Sequence, residues 1–389
     1  MSSWGPEAER LKGQISYAEM AVKFGVAKQT IKNYFYEKNK AHKEVGAALE
    51  QEIQQIKETA LKQNEDRLKA QQLKELAARD IIADKMISAI KILPEIKIKT
   101  IAIPGKNQFS EEEVVLMLSD IQAGTYISRE ATGGLNEYNK DILKDQFEIL
   151  KTSMTSIITR MKQITPIRVL NLHMLGDMIE GIDIFAGQAQ HVDQDLYNQM
   201  FALADLLCEF IVEMLHLFER VKVKCVGGNH GRIGRKGENP HYVNHDVYLY
   251  KYIQTKLQNY KQIEFEIPLS WWLLTTIQGH NFLLLHGDDI KAWNGIPYYA
   301  IDRADAKWTM LLGANDLYYE YMEMGHFHAE TELPRVRGEK LINGCWPGGS
   351  IFALKSLVTS GRPSQKLFGV HGDNGKTWSY NLFLDRKAG

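Results

Sequence analysis

The chain has 389 residues, and its 47 Lys and Arg nearly balance 48 Asp and Glu, leaving a formal net charge of −1; that excludes a general polyanion binder, so any nucleic-acid contact must come from a local patch. Hydrophobic residues make up 44% of it, enough for a large core, yet no apolar stretch approaches the ~18 residues of a membrane span and the N-terminus lacks the apolar region of an export signal. The length allows about two domains and a linker, and Cys208, Cys225 and Cys345, scattered without C-x-x-C spacing, read as buried reduced thiols of a cytoplasmic protein.

Residues 1–40 read as a helix-turn-helix. Between Ile15 and Tyr36, Ala21 and Gly25 stand four apart, Met20 and Phe24 are apolar before the turn, and Val26, Ile31 and Tyr34 are apolar after it. A small residue lets two helices approach, Gly makes the turn, and the later apolar residues pack the second helix on the first. Ser16 is placed to cap the first helix, and Ala27-Lys28-Gln29-Thr30 opens the second. The spacing leaves Lys28, Gln29, Lys32 and Asn33 exposed, residue types that contact phosphates and base edges in a major groove. DNA is the expected partner; a three-helix bundle that binds protein or caps the chain is the other reading.

Residues 41–100 read as a long helical connector. Ala, Leu, Gln, Glu and Lys dominate, Gly46 is the one breaker before Pro94, and all five dominant types favour helix. Leu49, Ile53, Ile56 and Ala60 keep a 4-3-4 step that is lost between Gln63 and Arg67. The segment is therefore either an imperfect coiled coil, which would make the protein a homo-oligomer, or a solvated spacer arm.

Residues 101–389 carry five short polar segments: Ser119-Asp120-Ile121-Gln122, Gly176-Asp177-Met178-Ile179-Glu180-Gly181, Gly228-Asn229-His230-Gly231, His286-Gly287-Asp288 and Gly325-His326-Phe327-His328. Four of them follow apolar or β-branched runs, such as Val114-Val115-Leu116-Met117-Leu118 and Phe282-Leu283-Leu284-Leu285. An apolar run closing on a polar cluster marks a buried strand delivering side chains to one edge of a sheet. Asp, Asn, Gln and His delivered from several strand ends to one place make a metal site. Taken singly, other histidines read as structural: His173 inside an apolar strand-like run, and His216 on an apolar helix-like stretch. Asp288 and Asp289 read as turn-formers or as acceptors that orient a ligand.

The ordered set resembles the calcineurin-like metallophosphoesterase superfamily, whose pattern runs D-x-H, G-D, G-N-H-(D/E), H and G-H-x-H; the resemblance spans roughly Val114 to Leu384. It implies an α/β fold of two mixed sheets packed face to face and flanked by helices. It also implies two divalent ions, one held by Asp120, Gln122 and His328, the other by Asn229, His286 and His326, with Asp177 bridging, and His230 as the catalytic histidine. Two positions depart from the pattern. Gln122 replaces a histidine, and a neutral, harder ligand favours Mn, with Mg, Zn and Fe as alternatives. Gly231 replaces an acidic residue, leaving the group that orients His230 unassigned. The segment 231–246 carries Arg232, Arg235, Lys236, His241 and His245 and is expected to bind a phosphate backbone, while the segment 187–195 is expected to bring Gln188 and His191 near the metals. Trp293, Tyr298, Tyr299, Trp308, Tyr318, Tyr319 and Tyr321 either stack bases or cover a core edge. The layout resembles proteins carried by phages and prophages, which implies a DNA nuclease working in the host cytoplasm. A phosphomonoesterase, or a DNA-binding assembly protein with a vestigial site, are the alternatives.

Overall fold

The structure, a computed structural model, describes residues 3–14, 16–40, a scatter of positions between 54 and 74, and then 90–94, 110–291, 298–349 and 361–385. It divides into two compact units, residues 1–89 and 90–389. Most of the connector lies outside the described residues, and with it the choice between coiled coil and spacer arm.

The first unit consists of α1 (Gly5–Leu11), α2 (Tyr17–Phe24) and α3, helical from 28 to 40. Ser16 and Glu19 cap α2 reciprocally: the Glu19 backbone N–H donates to Ser16 Oγ at 3.3 Å, and the Ser16 N–H to Glu19 Oε2 at 2.7 Å. Gly25 ends α2 with φ at 63°, a left-handed conformation that suits glycine. Ala8, Met20, Ala21, Ile31 and Phe35 form the core. Lys28, Gln29, Lys32 and Asn33 are exposed on α3, where the Gln29 amide donates to Asn33 at 2.8 Å.

The second unit holds two mixed sheets. The first has six strands in the order β11-β10-β1-β2-β3-β4. Here β1 (Glu112–Leu118), β2 (Ile167–Met174), β3 (Arg220–Cys225) and β4 (Ile263–Glu266) run parallel, while β10 (Ser364–His371) pairs antiparallel with both β1 and β11 (Gly375–Phe383). The second has five strands in the order β5-β6-β7-β9-β8. In it β6 (His280–Leu285), β7 (Tyr321–Met324) and β9 (Glu339–Ile342) are parallel, with β5 (Trp272–Ile277) and β8 (Thr331–Pro334) antiparallel at the edges.

The sheets pack face to face. Val115 and Met117 of β1 and Phe368 and Val370 of β10 share one core with Phe282 and Leu284 of β6 and Leu341 of β9. Alternate residues Val114, Leu116 and Leu118 point the other way and are also fully buried. That double burial explains why β1 reads as an unbroken apolar run. Helices lie outside: α4 (Lys140–Met161), α5 (Leu196–Met214) and α6 (His245–Lys256) pack side by side, with α4 reaching β11. On the far side, Ile301 and Leu312 of α7 (Tyr298–Gly313) pack on Leu283, Leu285, Met322 and Met324. The expected α/β class of two packed mixed sheets is the one observed.

Among the described residues no helix is long and apolar enough to cross a membrane. All three cysteines are buried and free. His173 is structural, its Nδ1 2.7 Å from Glu323 Oε2 in a fully buried pair that links β2 to β7. His216 is not: it lies exposed just past the end of α5, because the apolar stretch ends in a turn there.

Candidate metal centre

The five polar segments leave the C-terminal ends of β1, β2, β3, β6 and β7. In parallel sheets that edge gathers functional groups, because each strand turns there into its loop. Asp177, His286 and His326 bring one ligand atom each within 4.8 Å of one another. From this nucleus the rest follow by direct contact. His286 Nε2 lies 3.1 Å from both Asp177 Oδ2 and Asn229 Oδ1, and the His326 backbone N–H donates to Asp120 at 3.0 Å. Asp120 Oδ1 is 3.2 Å from His328 Nε2, which in turn is 3.4 Å from the Gln122 amide nitrogen. All seven expected ligands therefore converge. A 180° turn of the Gln122 amide presents its oxygen to the same point.

The backbone is strained at these positions. Among the described residues, seven other than glycine have positive φ, and five of them are Asp120, Gln122, Asp177, His326 and His328, at 47° to 67°. Side chains adopt that region reluctantly, and such outliers collect where the surrounding structure holds a functional geometry in place. Two glycines permit the close approach. A Cβ on Gly228 would sit 2.2 Å from Asp177 Oδ1, and one on Gly325 would sit 2.4 Å from Asp120 Oδ2.

Charge in the cluster is arranged in opposition. Asp177 is fully buried, which disfavours its anion, but His286 and His230 hold it well below the usual carboxylate range. Burial likewise disfavours the His286 imidazolium, and Asp177 and then Asp120 outweigh it, pushing the group up to about 10. His326 is pushed down to about 4 by burial and by His286. Carboxylates, imidazoles and amide oxygens with no thiolate among them form a mostly hard donor set. Such a set fits a divalent Mn, Mg, Zn or Fe ion.

Three buried polar side chains that the sequence reading missed hold the loops in place. The Asp246 carboxylate accepts the backbone N–H groups of Asp177 at 2.9 Å, Met178 at 3.1 Å and Gly228 at 2.9 Å. Asn244 caps α6 and donates to the Gly228 carbonyl at 2.8 Å. Gln365 accepts from the Ser119 backbone at 2.9 Å, fixing the entry to Asp120. The one sequence signal was an Asn two residues before an Asp at a helix start, a capping pattern whose second acceptor could not be placed.

His230 lies beside the candidate ligands. Its backbone N–H donates to Asp177 Oδ1 at 2.7 Å, and its Nδ1 is 2.9 Å from the Glu180 carbonyl and 3.3 Å from the Glu180 carboxylate. Glu180 is thus the orienting group that Gly231 left unassigned. Burial lowers the basicity of His230, but Asp177 and Glu180 more than offset this and raise it to about 9.

The basic loop differs from expectation. Arg232 is half-buried and donates to the carbonyls of Asn229 at 3.2 Å and Ile184 at 2.8 Å, so its guanidinium braces the loop. Lys236 is exposed but paired with Asp288 at 3.0 Å and Asp289 at 3.7 Å. Arg235 is exposed, its backbone N–H donating to Glu238. His191 is exposed too, whereas Gln188 is fully buried and donates to Glu180 at 2.8 Å. Of the aromatic group, Tyr319 and Tyr321 are core, Trp308 is half-buried, Tyr298, Tyr299 and Tyr318 are exposed, and Trp293 lies outside the described residues.

No protein-family model and no curated protein sequence matches the chain. Solved structures do. Vps29 from Entamoeba histolytica, complexed with zinc, is 13% identical over 69% of this chain and 99% of its own, with a TM-score of 0.31. An archaeal phosphodiesterase is 9% identical over 69% of this chain and 99% of its own, at 0.30. A hypothetical protein from Pyrococcus horikoshii is 11% identical over 71% and 90%, at 0.35. Likeness at this level adds nothing to the assignment of the site, which rests on its own residues.

Proposed function

We propose that the chain is a metal-dependent phosphodiesterase acting on DNA, a nuclease of the calcineurin-like metallophosphoesterase kind. The observation that carries this reading is the convergence of seven candidate ligand side chains from five strand ends, around Asp177, His286 and His326, with five of the seven on left-handed backbone. Asp120, Gln122 and His328 would hold one divalent ion and Asn229, His286 and His326 a second, with Asp177 shared between them. Two such ions, Mn being the expected pair, supply Lewis-acid charge on either side of a phosphoryl group.

The chain's own residues do the rest. Asp177 places a carboxylate at the middle of the donor set. His230, its Nδ1 turned toward Glu180, keeps Nε2 as the nitrogen that carries a proton to the leaving oxygen. Asp246 and Gln365 hold the ligand-bearing loops so that the donors keep their positions without substrate.

DNA as substrate is supported by the first unit, whose exposed Lys28, Gln29, Lys32 and Asn33 lie on one helix in the manner of a recognition helix. A phage or prophage origin, action in the host cytoplasm and self-association through the connector complete the proposal.

The test is hydrolysis by the full-length protein of labelled single- and double-stranded DNA, bis-p-nitrophenyl phosphate and p-nitrophenyl phosphate under Mn, Mg, Zn and chelator. Cleavage of DNA and the diester with Mn, abolished by chelator, is expected. Hydrolysis of the monoester alone would make the protein a phosphomonoesterase.

A further inference from the structure

We infer that a groove between α7 and the loop leaving β6 binds the nucleic-acid strand flanking the scissile phosphodiester, so that the enzyme selects polymers over small diesters. This rests on the nuclease reading above. The groove has a volume of about 480 Å³ and is lined by Lys291, Ala300, Arg303, Ala304, Lys307 and Trp308, with Asp289 at its rim. Asp289 follows the ligand His286 by three residues, which spans at most ~11 Å of extended chain. The groove therefore starts beside the metal centre.

Its charge is positive once the existing pairs are counted. The two acids of α7 in this region are engaged elsewhere, Asp302 with Lys340 at 2.6 Å and Asp305 with Arg335 at 3.0 Å. Asp289 shares Lys236 with Asp288. Lys291, Arg303 and Lys307 are exposed and make no ion pair among the described residues. Arg303 and Lys307, four apart, share one face of the helix, spaced to hold a run of phosphates.

Trp308 lines the groove among aliphatic groups, and further aromatic rings contact its lining residues. Trp308 packs edge-on against Trp272 at 5.5 Å and near Trp271 at 6.5 Å, and Trp271 remains 45% exposed. The Arg303 guanidinium lies 5.0 Å from the ring of Tyr299, which is 75% exposed. Cations without an acidic partner, set beside partly exposed rings, suit a flexible single strand, whose phosphates meet the cations while its bases stack. An acidic protein would match the charge but would leave the ring faces without flat partners.

The test compares the full-length protein with the double variant Arg303→Ala/Lys307→Ala, both with Mn, on a single-stranded oligonucleotide, a dinucleotide and bis-p-nitrophenyl phosphate. The ratio of kcat/KM for the oligonucleotide to that for the small diester should fall at least ~10-fold in the variant, through KM. The slope of log KM against log salt should flatten by roughly 1.4, the counterion release of two single-strand phosphate contacts. The dinucleotide, which has no flanking phosphates, should show no change in its ratio. Arg303→Lys/Lys307→Arg should restore the wild-type ratio. An unchanged ratio and salt slope in the alanine variant would overturn the groove while leaving the nuclease intact. A wild-type protein that hydrolyses the small diester but no polynucleotide would overturn the nuclease reading itself.

Discussion

At the scale of single residues, the candidate centre depends on groups outside its donor set. Asp246 is the clearest case. It is fully buried and pushed up to about 6 by burial and by the nearby Asp177 charge, yet it accepts three backbone N–H groups from the two loops that carry Asp177 and Asn229. Removing the acceptor strands those donors in a dry interior, at a cost of ~1–3 kcal/mol for each buried group left unpaired. Asp246→Ala should therefore destabilise the protein by about 3–5 kcal/mol, measured by urea unfolding, and lower metal affinity about 10–100-fold, measured by titration calorimetry. A variant with wild-type stability and affinity would show that the loops hold themselves. The candidate ligands were legible in the sequence because each lies just past the end of its strand. Asp246, Glu180 and Gln365 were not, because their partners lie up to 246 positions away and only the closed fold brings them together. The same holds for Arg232: its charge was visible, but the carbonyls of Asn229 and Ile184 that it braces were not.

At the scale of elements, strand ends were readable and edges were not. Buried parallel strands read as continuous apolar runs, so β1 and β6 announced both themselves and the residues that follow them. Short edge strands such as β8 carry no such signal, and their place depends on partners from elsewhere in the chain. Glu332 of β8 meets Lys366 of β10 at 2.9 Å, Lys376 of β11 at 2.6 Å and the Ser379 hydroxyl at 2.8 Å, joining the second sheet to the first. Burial disfavours its carboxylate, but Lys376, Lys366 and Ser379 prevail and hold it down to about 2, against an ordinary value of 4.5. A depressed carboxylate contributes stability above its unfolded value and loses it as the pH falls through the folded one. The urea midpoint should thus drop between pH 4.5 and 2, and Glu332→Gln should flatten that limb while lowering stability at pH 7. An acid limb identical in the two proteins would remove the ion cluster from the account of how the sheets are joined.

At the scale of the whole molecule, the two units divide the labour proposed for them. All seven candidate ligands, His230 and the α7 groove lie in residues 90–389. Leu93 and Pro94 hydrogen-bond to Lys256 and Tyr260 within this unit, so a truncation should begin no later than Ile90. The shortened chain should hydrolyse bis-p-nitrophenyl phosphate at the full-length rate but bind duplex DNA more weakly and with a flatter salt dependence. Equal duplex affinity and an equal salt slope, read by fluorescence anisotropy, would make the first unit a protein-binding element. Both units matter less than whether the convergent donors form a two-metal centre organised around Asp177. Its most direct test is the metal content of the wild-type protein and of Asp177→Asn after equilibration with Mn, measured by elemental analysis alongside diester hydrolysis. Two ions per chain and activity are expected in the wild type, with both ions weakened and activity lost in the variant. A wild-type chain that takes up no ion, or a variant that keeps two ions and most of its activity, would contradict it.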